Sequence, residues 1–220
     1  MHFSKFLRAM EVITLNALSD NYMYLLIDKT TKKCAAVDPV NPKRILDAVK
    51  ENGVHLSAIL TTHHHSDHAG GNAELVHQWS SLHGEKLNVY GGDKRVDAIT
   101  DAVAHEQKLK IGDNLDILCL STPCHTSGHV CYYVVDRSNP SDTAVFTGDT
   151  LFLGGCGRFF EVCFSCCLYS HILPCFFVCE ETYEPHPHLF GCGSGHRLDW
   201  ALRCIGHLGR LTPSEGRMIR

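Results

Sequence analysis

The run Thr61-Thr62-His63-His64-His65-Ser66-Asp67-His68 follows directly on the apolar stretch Leu56 to Leu60. That stretch reads as a short buried strand, so any fold of this chain must crowd several imidazoles and a carboxylate into one loop just past a strand end. Neutral imidazole nitrogen and carboxylate oxygen are ligands that zinc and iron accept. Positions 63 and 65 alternate and project to the same side of an extended segment, while Asp67 and His68 point elsewhere, which suits a second ion. His64 falls on the opposite side and reads as a solvated or packing residue. Burying so many like groups without a cation would be costly. The bland alternative is a solvated His-rich loop or an artificial tag, but a tag would sit at a terminus and would not include Asp67.

The elements around this loop follow from periodicity. Val12 to Leu18, Tyr22 to Ile27 and Cys34 to Val37 read as strands of a meander. Pro42 to Glu51 reads as an amphipathic helix, with Pro42 where a helix begins and Gly53 where it ends. Asn72 to His83 reads as a second helix stopped by Gly84. Leu87 to Tyr90, Asp116 to Leu120, Val130 to Val135 and Ala144 to Phe146 supply further strands. Strands alternating with helices, with polar motifs just beyond strand ends, predict an α/β layered domain with its site at a sheet edge.

Two of those polar motifs lie downstream. His125 sits in the turn Thr122-Pro123-Cys124-His125-Thr126-Ser127-Gly128-His129, and Asp149 in Phe146-Thr147-Gly148-Asp149-Thr150. Either alone would be ordinary turn chemistry. Their order and spacing after the first cluster give them weight. Cys124 and Cys156 lack a base or a helix N-terminus to lower their pKa and read as inert.

The chain changes character near residue 162. All ten Lys fall at or before Lys110, while residues 163–220 hold seven of the twelve Cys. The expected organisation is therefore a metal-binding domain over residues 1–162 and a Cys-rich tail over 163–220. The apolar run Cys163 to Cys179 is interrupted by His171 and Pro174 and lacks flanking Lys or Arg, so a membrane span is not expected. Leu198 to Leu208 is the one helix expected in the tail. With no leader evident the thiols read as reduced, and Met1 to Met10 reads as a ragged start before the first strand rather than a presequence. A net charge of −4 offers no basic field for nucleic acid, which leaves a small molecule as the expected partner.

The ordered set HxHxDH, then TPxHTxGH, then GDT is similar to the metallo-β-lactamase fold hydrolases. Within them, Ser19-Asp20-Asn21-Tyr22-Met23-Tyr24 and Gly154-Gly155-Cys156-Gly157-Arg158-Phe159-Phe160-Glu161 resemble the hydroxyacylglutathione hydrolases, the second glyoxalase enzymes. The resemblance covers about residues 11–161 and implies a layered αββα sandwich, incomplete on its carboxy-terminal side. It implies two divalent metal ions, zinc or else iron or manganese. His63, His65 and His125 would hold one, Asp67 and His68 the other, and Asp149 would bridge both, with Asp67 and Asp149 as the carboxylates of the catalytic centre. A hydroxide held between the ions would attack the thioester carbonyl of an S-2-hydroxyacylglutathione such as S-lactoylglutathione, releasing glutathione and lactate in methylglyoxal detoxification. Arg158, Phe159 and Phe160 would contact the glutathione part, and His129 would orient the turn holding His125. A cytoplasmic setting is expected, with a mitochondrial one as the alternative.

The resemblance stops after Glu161. The family's later Cys-Gly-His-Glu motif, which supplies a further ligand to the second metal, has no counterpart in a strand context here. His171, His186, His188, His196 and His207 are the available substitutes, and none has a convincing setting. Cys163, Cys166 and Cys167 form no paired zinc motif. Two other readings stand beside the thioesterase: another chemistry on the same fold, such as a persulfide dioxygenase or β-lactam hydrolysis, and a metal-binding but catalytically weak or dead variant chain with an incomplete second site.

Overall fold

The structure, a computed structural model, describes residues 8–152, 156–158, 160 and 161, and the backbone of 216–219. Strands β1 (Met10–Ala17), β2 (Asn21–Asp28) and β3 (Lys33–Val37) form an antiparallel meander. Helix α1 (Pro42–Glu51) then crosses over to β4 (His55–Leu60), parallel to β3. A single turn, α2 (Ser66–Ala69), and helix α3 (Asn72–His83) lead to β5 (Asn88–Gly91) and the two-residue β6 (Asp101–Ala102), both joined in parallel. These six strands form one sheet in sequence order. A second sheet is built from β7 (Lys108–Ile111), β8 (Leu115–Ser121), β9 (Val130–Asp136) and β10 (Thr143–Phe146), all antiparallel. Its far edge is β11 (Gly216–Ile219), which pairs in parallel with β10.

The two predicted helices appear with the expected bounds because their ends are coded locally. The Asn41 side chain accepts a hydrogen bond from the Arg44 N–H at 3.1 Å and Pro42 opens the first turn. α3 ends on Gly84 in the left-handed region. The inner strands β2, β3 and β4 are largely buried on both faces because both are covered. Leu15, Met23, Leu25, Ile27 and Ile59 pack with Ile45 and Val49 of α1 and with Leu75 and Trp79 of α3. On the opposite face, Tyr24, Leu26, Val37 and Leu60 meet Ile117, Tyr132, Val134 and Phe146 of the second sheet. Leu120, Cys131 and Val145 form a smaller cluster on the outer face of that second sheet.

One irregularity aims the site. The β3–β4 register skips Ser57, so Cys34 pairs with Leu56 and Ala35 with Ala58. The extra residue reverses the facing of β4 midway. Leu56 faces the helices, whereas Ala58 and Leu60 face the other sheet. The chain therefore leaves β4 with Thr61, Thr62 and His63 entering the space at the mouth of the two sheets.

The strands β6, β7 and β11 differ from the sequence expectation, which placed no strand at these positions. β6 has two exposed residues and no pattern to read. β7 is an edge strand carrying Lys108 and Lys110, the charges that keep an edge from pairing with another chain. Among the described residues no helix is long and apolar enough to cross a membrane. The expected tail helix and the tail His and Cys residues lie outside the described residues.

Candidate metal centre

His63 is fully buried three residues past the end of β4, His65 caps the turn α2, and that turn carries Asp67 and His68. His125 arrives from the loop between β8 and β9, and Asp149 from the 3₁₀ turn after β10. The ligand atoms of His63, His65 and His125 all lie within 4.8 Å of one another, as do those of His63, His68 and Asp149. His63 thus belongs to both groups. Asp67 lies at the margin: its Oδ2 is 3.5 Å from His68 Nε2 and accepts a hydrogen bond from Asn21 Nδ2 at 2.8 Å. Asp149 spans the two groups, with Oδ1 3.1 Å from His68 Nε2 and Oδ2 3.4 Å from His125 Nε2.

Which ring nitrogen is free follows from the fixed partners behind each ring. His125 Nδ1 can only donate to the Arg158 carbonyl at 2.7 Å, which leaves Nε2 as a lone pair. Thr62 Oγ1 donates its one proton to Asp38 Oδ2 at 2.8 Å, so it accepts from His63 Nδ1 at 3.1 Å and His63 Nε2 is likewise bare. His63 Nε2 lies 3.1 Å and His125 Nε2 2.9 Å from His65 Nδ1. One N–H at His65 can satisfy only one of them. A cation would satisfy all three, and ligands about 2.1 Å from a tetrahedral zinc sit roughly 3.4 Å apart. Burial first, then the neighbouring imidazoles, holds His63 well below the usual imidazole pKa and lowers that of His65, favouring the neutral state a ligand requires.

His68 differs. Its Nδ1 donates to Asp38 Oδ2 at 2.9 Å, and its buried Nε2 faces Asp149 outside hydrogen-bond angles. Burial alone would lower its pKa, but the carboxylates of Asp38 and Asp149 outweigh it and push the ring up to about 10. An orphaned proton between imidazole and carboxylate marks a place where a cation can replace it. Burial raises the pKa of Asp149, yet the close contact and charge of His68, together with the charges of His125 and His129, keep it below the usual carboxylate value. The donor set fits divalent ions.

His129 is not in either group. It accepts the Asp149 backbone N–H on Nε2 at 3.1 Å, so Nδ1 donates, to Thr122 Oγ1 at 2.9 Å. Burial holds it at about 3, hence neutral. Its ring stacks on that of His63, 5.1 Å between centroids. It therefore steadies both the start of the His125 turn and Asp149. Gly148 makes this possible: φ is +45°, and a Cβ there would lie 2.5 Å from Thr62 Oγ1 and 2.8 Å from His129 Nε2.

Sequence reasoning missed Asp38, which is 5% exposed and receives Thr62 N–H at 2.8 Å besides Thr62 Oγ1 and His68. The only local signal was an acid directly after a buried strand. Missed too was Asn72, whose Nδ2 donates to Thr61 Oγ1 and to the Asp97 carbonyl, both at 2.9 Å. His64 joins no ligand group; its Nε2 lies 3.8 Å from Glu161. Of the residues expected at the substrate, Arg158 is exposed, and the 62% exposed ring of Phe160 lies 5.2 Å from that of His125. Phe159 lies outside the described residues.

A two-sheet sandwich with helices on one outer face and a buried His and Asp cluster at its strand ends defines a metal-binding α/β protein. The model of the metallo-beta-lactamase superfamily matches residues 20–188, and the chain belongs to that superfamily. It is similar to the hydroxyacylglutathione hydrolase-like protein of Gallus gallus, 47% identical over 152 residues, covering 69% of this chain and 52% of the relative. It is also similar to the cytoplasmic hydroxyacylglutathione hydrolase of Arabidopsis thaliana, 44% identical over 153 residues, covering 69% and 57%. The chain spans about half the length of the curated relatives it matches. Among solved structures, ETHE1 from Myxococcus xanthus superposes with a TM-score of 0.58 at 27% identity, over 69% of this chain and 63% of that one. TTHA1623 in a di-iron-bound form superposes at 0.55 with 21% identity, over 94% and 89%, a likeness of fold.

Proposed function

We propose that this chain is a metal-dependent hydrolase of glutathione thioesters, acting on S-2-hydroxyacylglutathiones such as S-lactoylglutathione. The observation that carries the reading is the pair of ligand groups in which the rings of His63, His68 and His125 are held by fixed acceptors behind them. The identity to proteins named hydroxyacylglutathione hydrolase supports the substrate class. In this reading His63, His65 and His125 hold one ion, Asp67 and His68 the other, and Asp149 contributes to both. Bound divalent ions supply Lewis acidity, lowering the pKa of water and polarising a thioester carbonyl.

The chain's own residues do the rest. Asp38 holds His68 by its Nδ1 proton and, through Thr62, His63. His129 holds the backbone of Asp149. The exposed guanidinium of Arg158 suits the carboxylates of glutathione, and Phe159 and Phe160 complete the contact, with Phe160 offering an apolar surface beside His125. The proposal includes a division into residues 1–162, which carry the site, and a divergent tail over 163–220. It also includes a cytoplasmic setting, supported by the name of the Arabidopsis thaliana relative.

A second reading, a metal-binding chain of weak or no activity, is favoured by one observation: the match spans only about half of each curated relative. The deciding experiment measures S-lactoylglutathione hydrolysis on the full chain with metal content determined on the same sample, before and after chelation. Chelator-sensitive turnover supports the thioesterase. Full metal content with no turnover leaves the second reading, and no bound metal removes both.

A further inference from the structure

We infer that Glu161, clamped by Arg95 and Ser127, is a positioning residue that sets the ligand geometry of His125. The inference rests on the reading of His125 as a metal ligand. His125 Nδ1 has its hydrogen-bond partner in the carbonyl of Arg158, in the stretch after the 3₁₀ turn where the described residues 156–158, 160 and 161 belong to no strand. Something must hold that carbonyl in place. Gly157 does part of this: its N–H donates to the Asp149 carbonyl at 2.8 Å, and a Cβ at Gly157 would lie 2.7 Å from His125 Nδ1.

The other end of the segment is held by Glu161. Its two oxygens take a bidentate pair from Arg95, Nη1 to Oε1 at 2.5 Å and Nη2 to Oε2 at 2.9 Å. Oε2 also accepts the Ser127 backbone N–H at 2.7 Å and the Ser127 hydroxyl at 2.8 Å. Arg95 is itself fixed from behind by Asp93, Nε at 3.0 Å and Nη2 at 2.6 Å from Oδ2, and its Nη2 reaches Ser127 Oγ at 2.8 Å. Three separate loops therefore meet at one carboxylate: the loop after β5, the His125 loop two residues past the imidazole, and the segment carrying Arg158 and Phe160.

An exposed ion pair alone would be a poor anchor, because solvent and side-chain entropy erase most of its strength. This one is a bidentate fork inside a network with a backbone donor, the arrangement in which such pairs do fix geometry. With both ends of 157–161 tied, the Arg158 carbonyl stays against His125 Nδ1 and the Phe160 ring stays beside His125 and His65. Releasing Glu161 frees the carbonyl, lets His125 change tautomer or rotate, and costs the site an acceptor behind its ligand. Loss of such an outer partner lowers metal affinity about 10- to 100-fold.

The test uses the full chain and zinc alone, with affinity measured by competition with a chromogenic chelator. Glu161→Ala and Arg95→Ala should each weaken zinc binding about 10- to 100-fold. Both should also remove or shift the downfield proton resonance of His125 Nδ1, which a purely structural role would leave in place. Glu161→Gln, which keeps the acceptor for Ser127 but loses the charge, should fall between wild type and Glu161→Ala. Circular dichroism establishes that each variant is folded, and the Gln variant serves if an Ala variant is not. His125→Ala is the control for the underlying reading. If it loses zinc while Glu161→Ala, Glu161→Gln and Arg95→Ala all bind as wild type with an unmoved Nδ1 resonance, the positioning role is refuted and the ligand assignment stands. If His125→Ala itself binds zinc as wild type, the ligand assignment fails and the inference with it.

Discussion

Replacing Asp38 should damage stability and metal binding together. Its carboxylate accepts three donors: Thr62 N–H at 2.8 Å, Thr62 Oγ1 at 2.8 Å and His68 Nδ1 at 2.9 Å. Thr62 and His68 are 1% and 6% exposed, so water cannot replace the lost acceptor. The Thr62 hydroxyl can rotate, but the amide and the imidazole N–H are fixed. Two buried donors left unsatisfied cost about 1–3 kcal/mol each, or about 2–6 kcal/mol for Asp38→Ala. Asp38 also sits at φ 47°, in the left-handed region, which adds about 1–2 kcal/mol for Ala and much less for Asn. Asp38→Asn is therefore the cleaner probe. It keeps one acceptor oxygen, turns an N–H toward the remaining donors, and should cost about 1–3 kcal/mol. With a urea m-value of about 2 kcal/mol/M, that lowers the midpoint by roughly 0.5–1.5 M in chelator-treated protein. Zinc affinity should fall about 10- to 100-fold in the same variant, because both His63 and His68 lose their shared support. An Asn variant within about 0.5 kcal/mol of wild type and with unchanged zinc affinity would refute the reasoning.

His63→Ala or His125→Ala should abolish tight metal binding, read as metal per chain after dialysis, and His63→Ala should be the more damaging because His63 belongs to both groups. Arg158→Ala should raise KM for glutathione thioesters more than it lowers kcat, and unchanged kinetics would make it a surface charge. Asp28 is fully buried and accepts the backbone N–H groups of Thr30, Asp113 and Asn114, and these bonds with that of the Thr30 hydroxyl outweigh the effect of burial and lower its pKa to about 2. A carboxylate depressed in the fold contributes stability that is complete above its unfolded value of 3.8 and is lost as pH falls toward 2. Asp28→Asn should therefore be less stable at neutral pH and show a flatter acid limb, measured as urea midpoint against pH; an acid limb identical to wild type would count against the assignment.

What could be read from the sequence was what is coded within a few residues. Asn41, Pro42 and Gly84 mark helix ends by local hydrogen bonding and backbone freedom, and the covered strands announce themselves as apolar runs. The ligand types could be read for the same reason, since HxHxDH and GDT are local chemistry. What could not be read depends on partners far along the chain. The Ser57 bulge exists relative to β3, 23 residues before it, through a hydrogen bond from Ser57 Oγ to the Cys34 carbonyl. Asp38 acts on Thr62 and His68, 24 and 30 residues later, and Arg95 on Glu161, 66 residues later. The placing of His63 in both groups, with Asp67 at the margin, likewise depends on how the turn α2 meets the loop bearing Asp149, which spacing does not specify.

These distant partners explain why the His-rich run alone does not make a metal centre. An imidazole is a ligand only if the proton is on its other nitrogen, and for three of the rings here, His63, His68 and His125, that choice depends on an acceptor on a different segment. For His63 and His68 the choice is made through Asp38, just past β3 of the first sheet. For His125 it is made by the Arg158 carbonyl, on the segment after β10. Asp149 is held by His129, immediately before β9 of the second sheet. The ligands and their supports are thus distributed over both sheets, and the distance between them is set by the core that packs Tyr24, Leu26 and Leu60 against Tyr132 and Phe146. Tyr132 links the two directly: its ring fills that core while its hydroxyl donates to the Thr61 carbonyl at 2.9 Å, two residues before His63. Packing between the sheets is therefore part of the metal site, since a shift of one sheet against the other moves His125 and Asp149 relative to His63 and His68 before it exposes any apolar surface.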